Sequence, residues 1–260
     1  MNIDLSKLAL VDIEFYSGDI PAPYCHTYKI LVEYKKGLQT SFELKYLDRE
    51  DLSEDEIYME GFTPNDDVNW QGTIPTVWAD ELKELITKTT WVKNKFTRNA
   101  EESVIRVTMM DNTSKTFEGT PSDIRHWESF NQELIQAIYE ISRKERPLCV
   151  RFLRNKGKSI FKEFSLKASF EKREIQFEVN DNGEISQKHV PWKNLKDILK
   201  HIYAPDFIYE NAKENKPKKR GDYIDIGEEL WYKLGEGVVN NNNKYDALAE
   251  LINIFEEPID

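Results

Sequence analysis

Ala9, Val11, Ile13 and Phe15 alternate with polar positions that include Asp12 and Glu14, a period of two that predicts a half-buried strand. Residues 18–23 hold two prolines and read as a loop. Alternation resumes at Tyr28, Ile30, Val32 and Tyr34, turns at Lys36-Gly37, and continues at Phe42, Leu44 and Tyr46, a β-hairpin signal. An acidic stretch, residues 48–56, comes next, and a short strand is expected around Ile57 and Met59. After a turn at residues 64–67 the period changes. Trp78, Leu82, Leu85 and Ile86 fall on one face of a helix.

The same order returns twice. Ile105, Val107 and Met109 alternate, Asp111-Asn112 turns, Phe117 lies on the return strand, and Trp127, Phe130, Leu134, Ile138 and Ile141 follow at helical spacing. In the third round Val150 and Phe152, then Phe164 to Phe170, then Ile175, Phe177 and Val179 supply strands, with a turn at Asp181-Asn182-Gly183. Trp192, Leu195, Ile198, Leu199 and Ile202 close that round as a helix. Trp70-Gln71-Gly72-Thr73 resembles Phe117-Glu118-Gly119-Thr120, so a repeated unit of meander plus helix is one reading; a shared grammar of hairpins is the other. From Ala204 the pattern weakens into polar stretches at 210–222 and 235–243. Tyr245, Leu248, Leu251, Ile252 and Phe255 then mark one face of a final helix.

The fold class read from this is α+β: antiparallel hairpin or meander-plus-helix modules, repeated two or three times, with a C-terminal helix. The modules are 1–95, 96–145, a basic module at 146–203, and a loop-rich segment at 204–260 that carries a docking helix. Trp78, Trp127 and Trp192, each opening a helical stripe, are expected to be equivalently buried.

Composition adds compartment and partner class. The chain carries a net charge of −11, with 12% aromatic residues, so a sizeable core is available to it. Acidic residues interrupt the apolar positions near the start, and no run approaches the ~20 residues that cross a bilayer, so neither a secretory signal nor a membrane span is expected. Two cysteines, Cys25 and Cys149, suit reduced thiols in the cytoplasm. Charge is segregated: −12 over residues 1–142, +9 over 143–220 and −8 over 221–260. A basic module between acidic ones either docks on them or presents a polyanion surface, and the acidic flanks favour docking.

Candidate chemistry is sparse. Asp12-Ile13-Glu14 on an early strand puts two carboxylates on one face, able to hold a divalent metal such as magnesium. The motif resembles the first motif of the DEDD-type 3′–5′ exonucleases, and His201 with Asp206 is similar to that family's late His-x4-Asp motif. The middle motif has no counterpart, since Asp66 and Asp67 sit in a turn. Glu43-Leu44-Lys45 fits half of a PD-(D/E)xK nuclease motif, but its upstream acid, Asp19, falls in a loop. Gly157-Lys158-Ser159 lacks the earlier glycine of a phosphate loop, Phe152 standing in its place. Arg151, Arg154, Lys156 and Lys158 make that turn cationic enough to contact phosphate, without exposed aromatics for base stacking. No histidine–cysteine spacing suits zinc, and no metal or cofactor is expected outside the exonuclease-like alternative.

Two functions therefore stand. The first is a non-catalytic, intracellular accessory or adaptor protein that binds another protein, or itself, through acidic surfaces, with nucleic acid not the expected partner. The second is a metal-dependent nucleic-acid-processing enzyme using Asp12 and Glu14 with His201 and Asp206. Tyr245, Leu248, Leu251, Ile252 and Phe255 are the candidate docking helix, against the protein's own core or another chain.

Overall fold

The opening alternation is built as β1 (Leu8–Tyr16), and the hairpin signal as β2 (His26–Lys35) and β3 (Gly37–Tyr46). The computed structural model describes residues 3–92, 101–157, 160–240 and 245–256. It divides into two units, Met1–Lys144 and Glu145–Asp260. The fold is α+β with antiparallel sheets.

In the first unit α1 (Glu54–Met59), β4 (Val68–Ile74), α2 (Val77–Lys88) and β5 (Trp91–Val92) follow the hairpin, then β6 (Val104–Asp111), β7 (Thr116–Pro121) and α3 (Ile124–Ile141). The strands form one sheet in the order β4-β3-β2-β1-β6-β7-β5. Ile13 on β1 lies opposite Ile30 on β2 and Val107 on β6, and all three are fully buried, which locks the register. The β2–β3 turn closes between Lys35 and Gly37, where φ is +93°, a conformation that suits glycine. Asp123 caps α3 by accepting from the His126 N–H at 3.2 Å. The helix buries Trp127, Phe130, Asn131, Leu134 and Ile138. Its Asn131 Nδ2 donates to the Tyr28 hydroxyl at 3.0 Å, tying it to β2. Trp78 on α2 meets Phe130 edge to face at 5.7 Å, so the two helices share one core.

The second unit has β8 (Leu148–Gly157), β9 (Ile160–Ser169), β10 (Glu174–Asp181) and β11 (Glu184–Val190). Asn182 and Gly183, at φ +52° and +102°, make the tight β10–β11 turn that the Asn-Gly pair signals. A 3-10 turn at Trp192–Asn194 leads into α4 (Leu195–Ile202). Then come β12 (Asp206–Phe207), β13 (Gly221–Asp225), β14 (Tyr232–Lys233), β15 (Val238–Val239) and α5 (Ala247–Glu256). The main sheet runs β11-β10-β9-β8-β13-β14, and β12 pairs with β15. One core joins Val150, Phe152, Phe164 and Phe177 to Ile198 and Ile202 of α4 and to Leu251 and Phe255 of α5. A smaller core gathers Leu153, Tyr223 and Trp231, with Phe161 against them.

Four sequence-based expectations are corrected. Residues 57–59 are helical, not a strand, because Ser53 and Glu56 form a reciprocal capping box that starts α1. Trp192 is only partly buried: it sits in a 3-10 turn against Phe170 at 5.1 Å, whereas Trp78 and Trp127 are 1% exposed. The weak region after Ala204 contains β13, which pairs with β8 inside the sheet. Tyr245 lies ahead of α5 and is 40% exposed; Ala247 and Ile254 join Leu251 and Phe255 on the buried side instead.

Candidate functional site

Asp12 and Glu14 sit on β1, away from the face that carries Val11, Ile13 and Phe15 into the core. Lys29 lies opposite Glu14 on β2, and its ammonium is 2.9 Å from Asp12 and 3.6 Å from Glu14. Arg106, opposite Glu14 on β6, pairs with that same carboxylate. Glu43 stands opposite Lys29 on β3, so Glu43, Lys29, Glu14 and Arg106 alternate in sign across four strands. Such cross-strand pairs stabilise a sheet by about 0.2–1 kcal/mol each. Burial pushes the Asp12 carboxyl above its ordinary range, against the pull of Lys29, and its Oδ1 is buried with no hydrogen-bond partner among the described residues. His201 and Asp206 belong to the other unit. The His201 Nδ1 lies 2.6 Å from the Asp197 carbonyl on its own helix, and Asp206 is exposed at the start of β12. Among the described residues, no group of three or more His, Cys, Asp or Glu side chains is placed to hold a metal ion.

The four cations singled out near the β8–β9 turn, Arg151, Arg154, Lys156 and Lys158, differ in their partners. Arg151 pairs with Asp225, donating from Nε at 3.0 Å and from Nη2 to the same oxygen. The other oxygen of Asp225 accepts the N–H groups of Gly227, Glu228 and Glu229 at 2.9, 3.1 and 3.1 Å, so this 1%-exposed carboxylate is fully engaged. Arg154 grips Asp222 at 3.2 Å and also pairs with Glu256 on α5. These two arginines fasten β8 to β13 and to the last helix. Lys156 is exposed, and Lys158 lies outside the described residues.

On α5, Leu251 and Phe255 enter the core of their own unit, Leu248 and Ile252 pack partly against it, and Tyr245 remains outside. A cleft of about 250 Å³ between the end of α2 and the start of α3 is lined by Lys88, Thr89, Asp123 and His126 among others. Its polar groups have structural work: Asp123 caps α3, and Thr89 accepts the Trp127 indole N–H at 2.9 Å.

One surface escaped the sequence reading. In the first unit, Arg49 is clamped beneath a loop, donating to the Pro23 carbonyl at 2.8 Å and the Thr63 carbonyl at 3.0 Å and pairing with Asp66 at 3.3 Å. Its guanidinium lies 3.8 Å from the centre of the Tyr46 ring and 4.8 Å from that of Phe62. Tyr24 meets Phe62 edge to face at 5.3 Å, and its hydroxyl donates to Glu60. Around this braced cluster Tyr24 is 43% exposed, Tyr58 53% and Met59 85%. The adjoining segment carries Asp48, Glu50, Asp51, Glu54, Asp55, Glu56 and Glu60 against Arg49 as its one cation. The acidic run was visible in the sequence. The aromatic cluster was not, because Tyr24, Tyr46 and Phe62 come from three separate segments.

No family model matches the chain, and no curated protein or solved structure is significantly similar to it. No helix among the described residues is long and apolar enough to cross a membrane.

Proposed function

We propose that this chain is a non-catalytic accessory or adaptor protein that holds another protein against the first unit. The docking surface is built from Tyr24, Tyr58 and Met59. The observation that carries the reading is the exposure of Tyr24, on a loop fixed by Arg49, together with that of Tyr58 and Met59 at the end of α1. Tyr and Met are enriched in interface cores, and a pre-ordered loop lowers the entropy lost on docking. The surrounding carboxylates make the complementary partner a cationic protein surface, steered by charge and anchored by the rings. Asp12 and Glu14 are read as members of an ion-pair ladder, because their nearest charged neighbours are Lys29 and Arg106. The shared plan of an antiparallel sheet with helices supports the idea of repeated hairpin–helix modules, and two free cysteines suit the cytoplasm.

The test is affinity capture of the full chain and of Tyr58→Ser/Met59→Ser from its native cell. Each captured protein is then purified and titrated with both forms at low and high salt. The reading expects one partner whose affinity falls about tenfold or more in the variant and weakens with salt, with the melting temperature unchanged. Equal affinity for both forms would remove the function from this surface.

A further inference from the structure

The ladder between β8 and β13 is charge-matched along part of its length and mismatched at one end. Asp225 lies opposite Arg151, and Asp222 opposite Arg154, each forming an ion pair. The last pair of the ladder is Gly221 with Asn155, and the flanking residues beyond it, Arg220 and Lys156, are both cations. Lys218 and Lys219 precede Arg220, and all four side chains are exposed, with no ion pair to any of them among the described residues. Among the described residues, three acids of this region are already paired: Glu163 with Lys216, and Asp222 and Glu256 with Arg154. Like charges gathered at a strand pair repel, so an external anion bound here would stabilise this end of the sheet.

The platform beneath these cations is ordered from within. Asn155, only 8% exposed, donates its amide to the Lys218 and Lys219 carbonyls at 3.2 Å each and accepts the Gly157 N–H at 3.1 Å. Pro217 is buried, which fixes the segment on its other side. Gly157, at φ +105°, lies against the Arg220 guanidinium: a Cβ there would lie 2.8 Å from Nη2 and 2.9 Å from Nε. The hairpin and the basic segment are thus joined by a buried side chain, and the arginine lies against a glycine whose positive φ other residues rarely adopt.

We infer that Lys156, Lys218, Lys219 and Arg220 form a binding site for a compact, multivalent phosphate. The number of cations along these segments sets the ligand. Four cations on two adjacent short segments call for several negative charges in a small volume, which linked phosphates supply. Carboxylates along an extended peptide recur on one face only every second residue, about 6–7 Å apart. A long nucleic acid is disfavoured by the chain's net charge of −11. Of the nearby rings, Tyr223 is buried and Phe161 partly buried, a poor platform for base stacking. This site is independent of the docking surface on the first unit.

The probe is sodium tripolyphosphate, titrated calorimetrically into the full chain at low salt. Binding is expected for the wild type, with affinity reduced about tenfold or more in Lys219→Gln/Arg220→Gln. The charge-matched control Lys167→Gln/Lys196→Gln should change it less than about twofold. Circular dichroism melts establish that both variants are folded, and Lys218→Gln/Lys219→Gln, which leaves Arg220 in place, serves if the first pair does not fold. Flotation with phosphoinositide vesicles then separates a lipid-borne phosphate, carrying the wild type but not the variant upward, from a free one. Either result supports the site. Absence of tripolyphosphate binding, an equal loss in the control, or tighter patch-dependent binding to a polyglutamate peptide or an oligonucleotide would overturn it.

Discussion

Truncating Phe255 to alanine should unfasten the last helix from the second unit. The ring is fully buried, stacked on Phe152 at 5.0 Å with a 12° tilt, and within 6.2 Å of both Phe164 and Phe177. Those three partners lie on β8, β9 and β10, so the cavity would open at the centre of the sheet's packed face. A buried Phe→Ala change costs about 3–5 kcal/mol, a large part of the roughly 5–15 kcal/mol that holds a domain folded. The helix is short and depends on this packing, so little of the cavity can be refilled from its own side. The paired control is Tyr245→Ala, at a 40%-exposed position before the helix, where the change should stay within about 0.5 kcal/mol. Urea unfolding read by hydrogen-exchange mass spectrometry assigns the loss to peptides of β8–β10, which matters because two units need not unfold together. A loss below about 1 kcal/mol for Phe255→Ala, or equal losses for both variants, would refute the reasoning that this helix is held by its own unit.

Four further outcomes follow from the same geometry. Asp225→Ala should cost about 3–5 kcal/mol in urea unfolding, since it strands Arg151 and three backbone N–H groups; a near-neutral change would show that the carboxylate is dispensable. Trp127→Ala should cost about 3–5 kcal/mol and Trp192→Ala clearly less, because the first indole is buried and hydrogen-bonded to Thr89 while the second is partly exposed; equal losses would contradict the unequal burial. For Asp12, burial raises the carboxyl above its ordinary value, so the folded state favours the protonated form. That contribution is present below the ordinary carboxylate range and is lost as pH rises through the raised value. Asp12→Asn should therefore melt highest relative to wild type near neutral pH, with the gap shrinking on acidification; a gap that widens in acid would reverse the sign. Added magnesium should leave the wild-type Tm unchanged, and a magnesium-dependent rise abolished by Asp12→Asn would instead make that pair a metal site.

Local periodicity carried most of the fold. The β2–β3 hairpin, the apolar face of α3 and the Asn182-Gly183 turn are encoded within a few residues of each other, and those signals were legible. The strand β13 was not, because Tyr223 and Ile224 are too short a run to show alternation, and their support comes from β8, far back along the chain. For α1 the local signal existed: Ser53 and Glu56 have capping-box spacing, but the apolar pair Ile57 and Met59 also fits a strand. Charge at the candidate sites was legible, and partnership was not. Arg151 and Arg154 meet their acids 74 and 68 residues away, so the sequence alone does not separate structural arginines from available lysines. The Tyr24–Arg49–Phe62 cluster has the same cause.

Docking of another protein on the acidic aromatic surface of the first unit is tested most directly by photocrosslinking in the native cell. A benzophenone amino acid replaces Met59 in one form of the chain and exposed Asn182 in another, each with and without Tyr58→Ser. Position 59 is expected to yield one discrete crosslinked partner, weakened by Tyr58→Ser and absent from position 182. The same set of crosslinks from both positions, or a position-59 product indifferent to Tyr58, would contradict it.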